Sequence, residues 1–406
     1  MKRRVMVTGM GVISPIGLNV PSFLESLKQG ISGQGPLQGF DCSRFRVQEA
    51  FEVKNFNAHA YGTHLLDPFI QYAVAAAAEA VRDAGFETGA ADPYRVGISV
   101  SSSKGGVRTI DRFKDRFDKH PSAILGARIY ANSIPNFAAQ WIARRWKVQG
   151  PAKCYVAACA TGTVAVIEGA RMVSEGIVDY CFAGASDASI TPLMMAGYQN
   201  MKALSRSQMR PFDKRRDGFL VGEGAGILFL ETLESARARG AKIYGEILGG
   251  NYTIDTSHPL YFEKGHEGLT RVLQNIFQQT RLMPSEIGYV NLHGTATVAG
   301  DAYETAQIKK AFGKEAFEIP MSSTKSMTGH MLGASGAVEI IASLVAIKES
   351  FIPPTAGLEE ADSFCDLDYT PQKSKKKKFD TALSISMGFG GHIAAIAMGK
   401  MGGRHS

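Results

Sequence analysis

The sequence predicts a layered α/β fold made of two halves of similar rhythm, and three observations carry that reading. Short β-branched runs alternate with alanine-rich segments along the chain, and the same alternation restarts after Gly240. In addition, 44 glycines in 406 residues are scattered through apolar segments instead of gathering in one tract. Alternating strand and helix patterns signal stacked layers of helix and sheet. Glycine above its usual share of about 7%, spread in this way, points to close backbone packing and tight turns.

Residues 5–7 open a first strand. The apolar stretch that follows Lys2, Arg3 and Arg4 is interrupted by Thr8, Gly9, Gly11, Ser14 and Pro15, which reads as a strand entering a glycine-rich turn and not as a leader peptide. A helix over 70–81, a strand over 96–100 and a strand over 155–157 leading into a helix over 164–173 complete the first half. After Gly240 come a strand over 243–248, a helix over 269–279, a strand over 289–292 and a helix over 301–312. The halves are thus 1–240 and 241–406; they share a pattern without a convincing letter-by-letter repeat.

With 45% hydrophobic and 20% charged residues the chain has the makeup of a soluble globular protein. The net charge of +7 favours acidic partners, and nucleic acid, anionic membranes and acidic carrier proteins all qualify on charge alone. The densest basic run, 373–378, reads as a solvated loop. No 18-residue apolar stretch free of Gly, Pro and charge is present, which argues against a membrane span. Five scattered cysteines (Cys42, Cys154, Cys159, Cys181 and Cys365) form no close metal-type pair and imply free thiols in a reducing, cytoplasmic compartment.

Three segments carry candidate chemistry. In AKCYVAACATGTVAVIEGARMV an apolar strand runs into Cys159 and a helix follows at once. Unpaired N–H groups at a helix start favour thiolate, so Cys159 is a nucleophile with a lowered pKa or, on the plainer reading, a small buried hydrophobe. In YVNLHGTATVAGDAYETAQIKKAF, His293 leaves a strand beside a Gly-Thr turn, where a histidine serves either structure or catalysis. In IPMSSTKSMTGHMLGASGAVEIIASLVAIKE a polar turn holds Lys325 and His330 ahead of an apolar helix. Glu339 in that helix either turns to solvent, the default, or is buried with Lys325 or a hydroxyl as partner.

The strings VMVTGMGVISPIG, VAACATG, RPFDKRRDGFLVGEGAG, HGTATVAGDAYE, STKSMTGHMLGASGAVE and SMGFGG together resemble the signature segments of the β-ketoacyl carrier-protein synthases, most closely the elongating type II enzymes. The resemblance spans essentially the whole chain. It implies the thiolase-like fold, a five-layered αβαβα arrangement of two related halves, working as a homodimer. It also implies a decarboxylating Claisen condensation. An acyl chain passes from acyl carrier protein to a cysteine, malonyl carrier protein loses CO₂, and the carbanion attacks the acyl thioester.

Carried over by motif, the resemblance makes Cys159 the acylated nucleophile and gives His293 and His330 the enolate. The backbone N–H groups of Cys159 and Phe389 become an oxyanion hole, and Lys325 and Glu339 support the histidines. It makes Phe389, between Gly388 and Gly390, a gate, and Thr295 and Thr297 hydrogen-bonding groups for the phosphopantetheine arm. No metal and no resident cofactor are implied, because the substrates bring their own 4′-phosphopantetheine. The partner is the acidic carrier protein, in its acyl and malonyl forms, rather than nucleic acid or a membrane; Lys202, Arg206 and Arg210 are its candidate docking residues.

Two departures stand out. Lys104 occupies a position where these enzymes carry an aliphatic residue lining the acyl pocket, and His392 and Ile393 replace the usual Thr-Asn after the gate. A specialised polyketide or unusual-lipid ketosynthase is therefore an alternative to the fatty acid enzyme. A thiolase acting on coenzyme A thioesters would need a second cysteine near SMGFGG. A noncatalytic chain-length partner would lack the nucleophile, and a cysteine hydrolase would leave the HGTAT and KSMTGH segments unexplained.

Overall fold

The computed structural model describes residues 3–87, 89, 91–120, 126–258, 262 and 265–402. Ten strands form its main sheet: β1 (Val5–Ile13), β2 (Val96–Ser101), β3 (Ala152–Lys153), β4 (Tyr180–Asp187), β5 (Gly224–Thr232), β6 (Gly245–Ile254), β7 (Tyr289–Asn291), β8 (Met321–Ser322), β9 (Thr381–Gly388) and β10 (His392–Gly399). Their order across the sheet is β8-β7-β9-β10-β6-β1-β5-β4-β2-β3. Read inward from either edge, both halves follow one sequence: third, second, fourth, fifth and first strand. In each half the two outer pairings are parallel and the two inner ones antiparallel. The halves join where β1 and β6 run antiparallel over Val5–Val7 and Gly245–Ile247.

Two helices, Thr161–Ser174 and Ser335–Glu349, lie side by side at the centre and touch strands of both half-sheets. The Pro68–Ala84 helix covers the outer face of one half, and the Gly268–Thr280 helix covers the other. The result is helix, sheet, helix, sheet, helix, the five layers expected. A central helix has no solvent face, which is why the first thirteen residues of Ser335–Glu349 are all buried.

Sequence and structure differ at two places in the first half. The turn expected at Gly9 and Gly11 is instead strand, since β1 continues to Ile13. The glycines serve helix packing: a Cβ on Gly11 would overlap the Ala76 carbonyl of the Pro68–Ala84 helix. No strand forms over 155–157. The sheet edge pairs only Ala152–Lys153, after which the Tyr155 N–H turns to the Ser101 hydroxyl at 2.9 Å and the chain swings inward. Within 373–378, Lys375–Lys376 pairs with Phe351–Ile352, and the lysines remain exposed as expected.

Glu339 does not turn to solvent. It is 1% exposed and ion-paired to Lys325, which is wholly buried. The pair ties the turn after β8 to the central helix. Taking one partner away leaves a buried charge uncompensated, so Lys325→Met is expected to lose about 3–5 kcal/mol in urea unfolding. Adding Glu339→Leu is expected to restore much of that loss; a double variant no more stable than the single one would refute the coupling.

The two central helices cross at glycines. A Cβ on Gly162 would lie 2.7 Å from the Gly333 carbonyl oxygen, and one on Gly336 would overlap Thr163 Oγ1. Gly336→Ala is therefore expected to lower the melting temperature, at a cost of about 1–3 kcal/mol from overpacking. An unchanged melting curve would mean that the crossing has room to spare.

Candidate active site

Cys159 sits on an elbow. Ala158 adopts φ of 47°, a left-handed conformation that costs a residue with a Cβ about 1–2 kcal/mol. Thr161 holds it: its hydroxyl accepts the Ala157 N–H at 2.9 Å and donates to the Ala158 carbonyl at 2.7 Å. One 3₁₀ turn, Ala158–Ala160, then passes into the Thr161–Ser174 helix, so the sulfur lies at a helix start as expected.

The second half repeats this device. Leu332 has φ of 51°, the 3₁₀ turn is Leu332–Ala334, and the Ser335–Glu349 helix follows. Superposing the elbows aligns Ala160-Thr161-Gly162-Thr163-Val164 with Ala334-Ser335-Gly336-Ala337-Val338, a short letter repeat that pattern reading did not find. Gly333 stands where the first half has Cys159.

The lowered thiol pKa expected from the helix start is not what the site produces. Burial pushes the Cys159 thiol up to about 11, while the charges of Lys104 and Lys325 and a hydrogen bond from the Phe389 N–H pull the other way. Burial removes the water that would solvate a thiolate, and here that effect outweighs the favourable charges.

His293 follows β7 and is fixed through its backbone. The Glu304 carboxylate accepts the N–H groups of His293 at 2.7 Å and Gly294 at 2.8 Å, and its own pKa is raised by burial to about 8. The imidazole Nδ1 of His293 is buried without a hydrogen-bond partner. His330 is fixed on both sides, its N–H donating to the Leu220 carbonyl and its Nδ1 lying 3.2 Å from the Ser335 hydroxyl. The two rings meet edge to face with centroids 5.5 Å apart.

Burial first, and the Lys325 ammonium second, hold both imidazoles well below the usual histidine pKa. They are neutral at physiological pH. Each then offers one N–H donor and one lone-pair acceptor.

The β9–β10 hairpin closes the site. Gly388 lies against the nucleophile so closely that a Cβ there would be 2.8 Å from the Cys159 nitrogen. Phe389 is half-buried and packs in the cluster that holds Cys159, Tyr198, Phe219, Ala296 and Leu332, and Gly390 is exposed with φ of 80°. Phe219 links the groups further, meeting His330 at 5.2 Å and Tyr198 at 5.4 Å between ring centroids. The Thr295 and Thr297 hydroxyls are 3.3 Å apart on the turn after His293.

Lys104 is half-buried on the loop after β2, within electrostatic reach of Cys159, His330 and Asp187. Lys202 and Arg206 are exposed on the segment that also gives Leu204 and Met209 to this cluster; Arg210 is half-buried and donates to the Ser207 hydroxyl.

Sequence reasoning missed three residues that build the site. Glu304 holds the His293 turn. Asp187 accepts from the Ser102 and Ser103 hydroxyls at 2.6 Å each and from the Gly333 N–H at 2.7 Å, which locks the Lys104 loop to the second elbow. Buried Arg216 donates to the Thr297 and Val298 carbonyls and pairs with Asp362. Glu304 and Arg216 lie inside motif strings already quoted. Among the described residues no group of three or more His, Cys, Asp or Glu side chains is placed to hold a metal, and no helix is long and apolar enough to cross a membrane.

The chain is 40% identical to 3-oxoacyl-[acyl-carrier-protein] synthase 2 of Synechocystis over 98% of both chains, and 37% identical to the Coxiella burnetii protein of the same name over 98% of this chain and 99% of that one. Among solved structures it resembles the ishigamide ketosynthase/chain length factor, with a TM-score of 0.94 and 32% identity over 98% of this chain and all of that one. It also resembles a type II polyketide ketosynthase bound to a hexaketide and in complex with its acyl carrier protein, with a TM-score of 0.92 and 30% identity over the same shares. Residues 2–236 match the N-terminal domain of the β-ketoacyl synthases and residues 244–359 their C-terminal domain, so the chain belongs to the β-ketoacyl synthase family of acyltransferases.

Proposed function

We propose that this enzyme joins an acyl group held on Cys159 to the two-carbon unit of malonyl carrier protein, giving 3-oxoacyl carrier protein and CO₂. The observation that carries this reading is a buried sulfur beside the Phe389 N–H, in a cluster that two neutral imidazoles join through the contact of Phe219 with His330 and of His330 with His293.

In the first step the sulfur of Cys159 attacks the acyl thioester carbonyl. The N–H groups of Cys159 and Phe389 take the developing oxyanion, the bond to the pantetheine sulfur breaks, and the proton leaves with that sulfur through a neutral imidazole. In the second step the malonyl C–CO₂ bond breaks and its electron pair becomes an enolate. N–H groups of His293 and His330 meet the enolate oxygen, where charge develops only as CO₂ leaves. The carbanion then bonds to the acyl carbon, the bond to Cys159 breaks, and the thiolate recovers a proton.

Lys325 with Glu339 holds the histidine side in place, Thr295 and Thr297 receive the pantetheine arm, and Phe389 gates access between its glycines. The enzyme acts in the cytoplasm as a homodimer and needs no resident cofactor. Lys202, Arg206 and Arg210 steer the acidic carrier protein. Segments 1–240 and 241–406 are two related halves of one duplicated unit, a reading supported by their common strand order and by the paired elbows.

With acyl and malonyl carrier proteins supplied, intact mass is expected to show an acyl adduct on wild type and none on Cys159→Ala. His293→Ala and His330→Ala are expected to keep the adduct while condensation falls by about a hundredfold or more. Full condensation by Cys159→Ala would overturn the assignment of the nucleophile.

Because both imidazoles are held well below the ordinary value of 6.5, their neutral forms persist as pH falls through that value. Malonyl decarboxylation by Cys159→Ala is therefore expected to stay level from pH 8 down to about 6.5. A half-maximal loss centred near pH 6.5 would mean that the histidines titrate as they do in water.

A further inference from the structure

The two imidazoles differ at Nδ1. In His293 that atom is buried without a partner, whereas in His330 it lies 3.2 Å from the Ser335 hydroxyl. Ser335 is 1% exposed, and the His330 ring is the one hydrogen-bond partner of its hydroxyl among the described residues. Neither Nε2 has a hydrogen-bond partner among the described residues, and neither is shut off from solvent, so both face space that a ligand can enter.

The duplicated frame shows that this hydroxyl has changed its task. Thr161 is the counterpart of Ser335 at the first helix start, and its hydroxyl is engaged by its own elbow, accepting the Ala157 N–H and donating to the Ala158 carbonyl. Ser335 makes neither bond with the matching residues, Met331 and Leu332. The second elbow, with Leu332 at φ of 51°, forms without it, and the hydroxyl is left to the histidine.

A neutral imidazole has one N–H and one lone pair, so the contact can be made in two ways. If Nδ1 carried the proton and donated to Oγ, the hydroxyl proton of Ser335 would be buried with no acceptor. If Ser335 donates to Nδ1, both groups are satisfied and the ring proton sits on Nε2, the nitrogen on the open side. A buried donor without an acceptor is the less stable choice, and the second arrangement prevails.

We propose that Ser335 is a positioning residue for the condensation, which donates to Nδ1 of His330 and so fixes the ring proton on Nε2, where it meets the enolate oxygen as CO₂ leaves. This rests on the condensation reading above and adds the group that makes one histidine a donor.

The test reads the tautomer and its consequence separately. Full-length enzyme labelled with ¹⁵N-histidine is compared with its His330→Ala variant, which identifies the His330 signals among those of nine histidines. Near neutral pH, wild type is expected to show a bare Nδ1 and a protonated Nε2, and Ser335→Ala a mixture of both forms. In a Cys159→Ala background, where loss of CO₂ from malonyl carrier protein is followed alone, Ser335→Ala is expected to lower kcat about tenfold and to leave KM within about twofold, because the donor acts in the transition state and not in binding. Ser335→Thr keeps the hydroxyl, as Thr161 does at the matching position, and is expected to restore both the tautomer and the rate. A proton on Nδ1 of wild-type His330 would overturn the proposal even if Ser335→Ala failed to fold, and so would a folded Ser335→Ala variant with the wild-type tautomer and kcat within about twofold. Failure of wild type to release CO₂ from malonyl carrier protein would instead overturn the condensation reading, and the role given to Ser335 with it, whatever the tautomer.

Discussion

Burial, adjusted by the charge of one lysine held wholly out of water, sets the electrical state of the reaction centre. The Lys325 ammonium, paired with Glu339, acts on Cys159, His293, His330 and Glu304 from one fixed point. In a medium of low polarity a charge reaches farther than it does in water, and no counter-ion can approach to screen it. Its effect on the imidazoles is to keep protons off, and its effect on the sulfur is to favour the anion. Both directions suit a site in which charge appears only during reaction. Burial alone would keep the histidines neutral and also keep the thiol protonated; the lysine opposes the second effect while reinforcing the first.

The duplicated frame explains how such a centre is assembled from distant segments. Each half leads its third strand through a left-handed residue and one 3₁₀ turn into a central helix, and the two helix starts face each other across Gly162 and Gly336. Their positive ends therefore converge on one region, which favours negative charge there. The halves differ in what they place on the elbow. The first offers a sulfur at Cys159, whereas the second has Gly333, whose N–H is given to Asp187 and whose missing side chain leaves room for Ser103. His330, three residues before Gly333, is the side chain the second half brings instead, its Nδ1 lying 3.2 Å from the Ser335 hydroxyl. Symmetry of backbone is thus turned into asymmetry of chemistry by a few side chains.

Some of this was legible in the sequence and some was not, for physical reasons. Cys159, His293, Lys325 and His330 stand at strand ends or turns before helices, places that pattern alone can locate. The strand order is not legible, because pairing between distant strands leaves no trace in local spacing. Glu339 gives one signal whether it faces water or a buried lysine, since a single acid in an apolar run fits both. Asp187 and Arg216 act on groups far along the chain and Glu304 on the turn one element before it, and nothing in their neighbours announces the partner. The strand expected over 155–157 failed because β-branched and aromatic composition describes a tendency, and the demands of the elbow override it. The thiol pKa failed likewise: a helix start can be read from the sequence, but the exclusion of water around it cannot.

The two lysines near Cys159 differ in a way that bears on how the site divides its work. Lys325 has a carboxylate in contact, so its charge is structural as well as electrical and cannot be redirected without unpairing Glu339. Lys104 sits on a loop whose backbone is clamped through Ser102 and Ser103, while its own ammonium has no partner among the described residues. The Lys104 ammonium is not among the buried polar atoms that lack a partner, so water can reach it. The charge on the histidine side of the sulfur is therefore fixed by a buried ion pair, whereas the charge on the Lys104 side is open to screening by solvent.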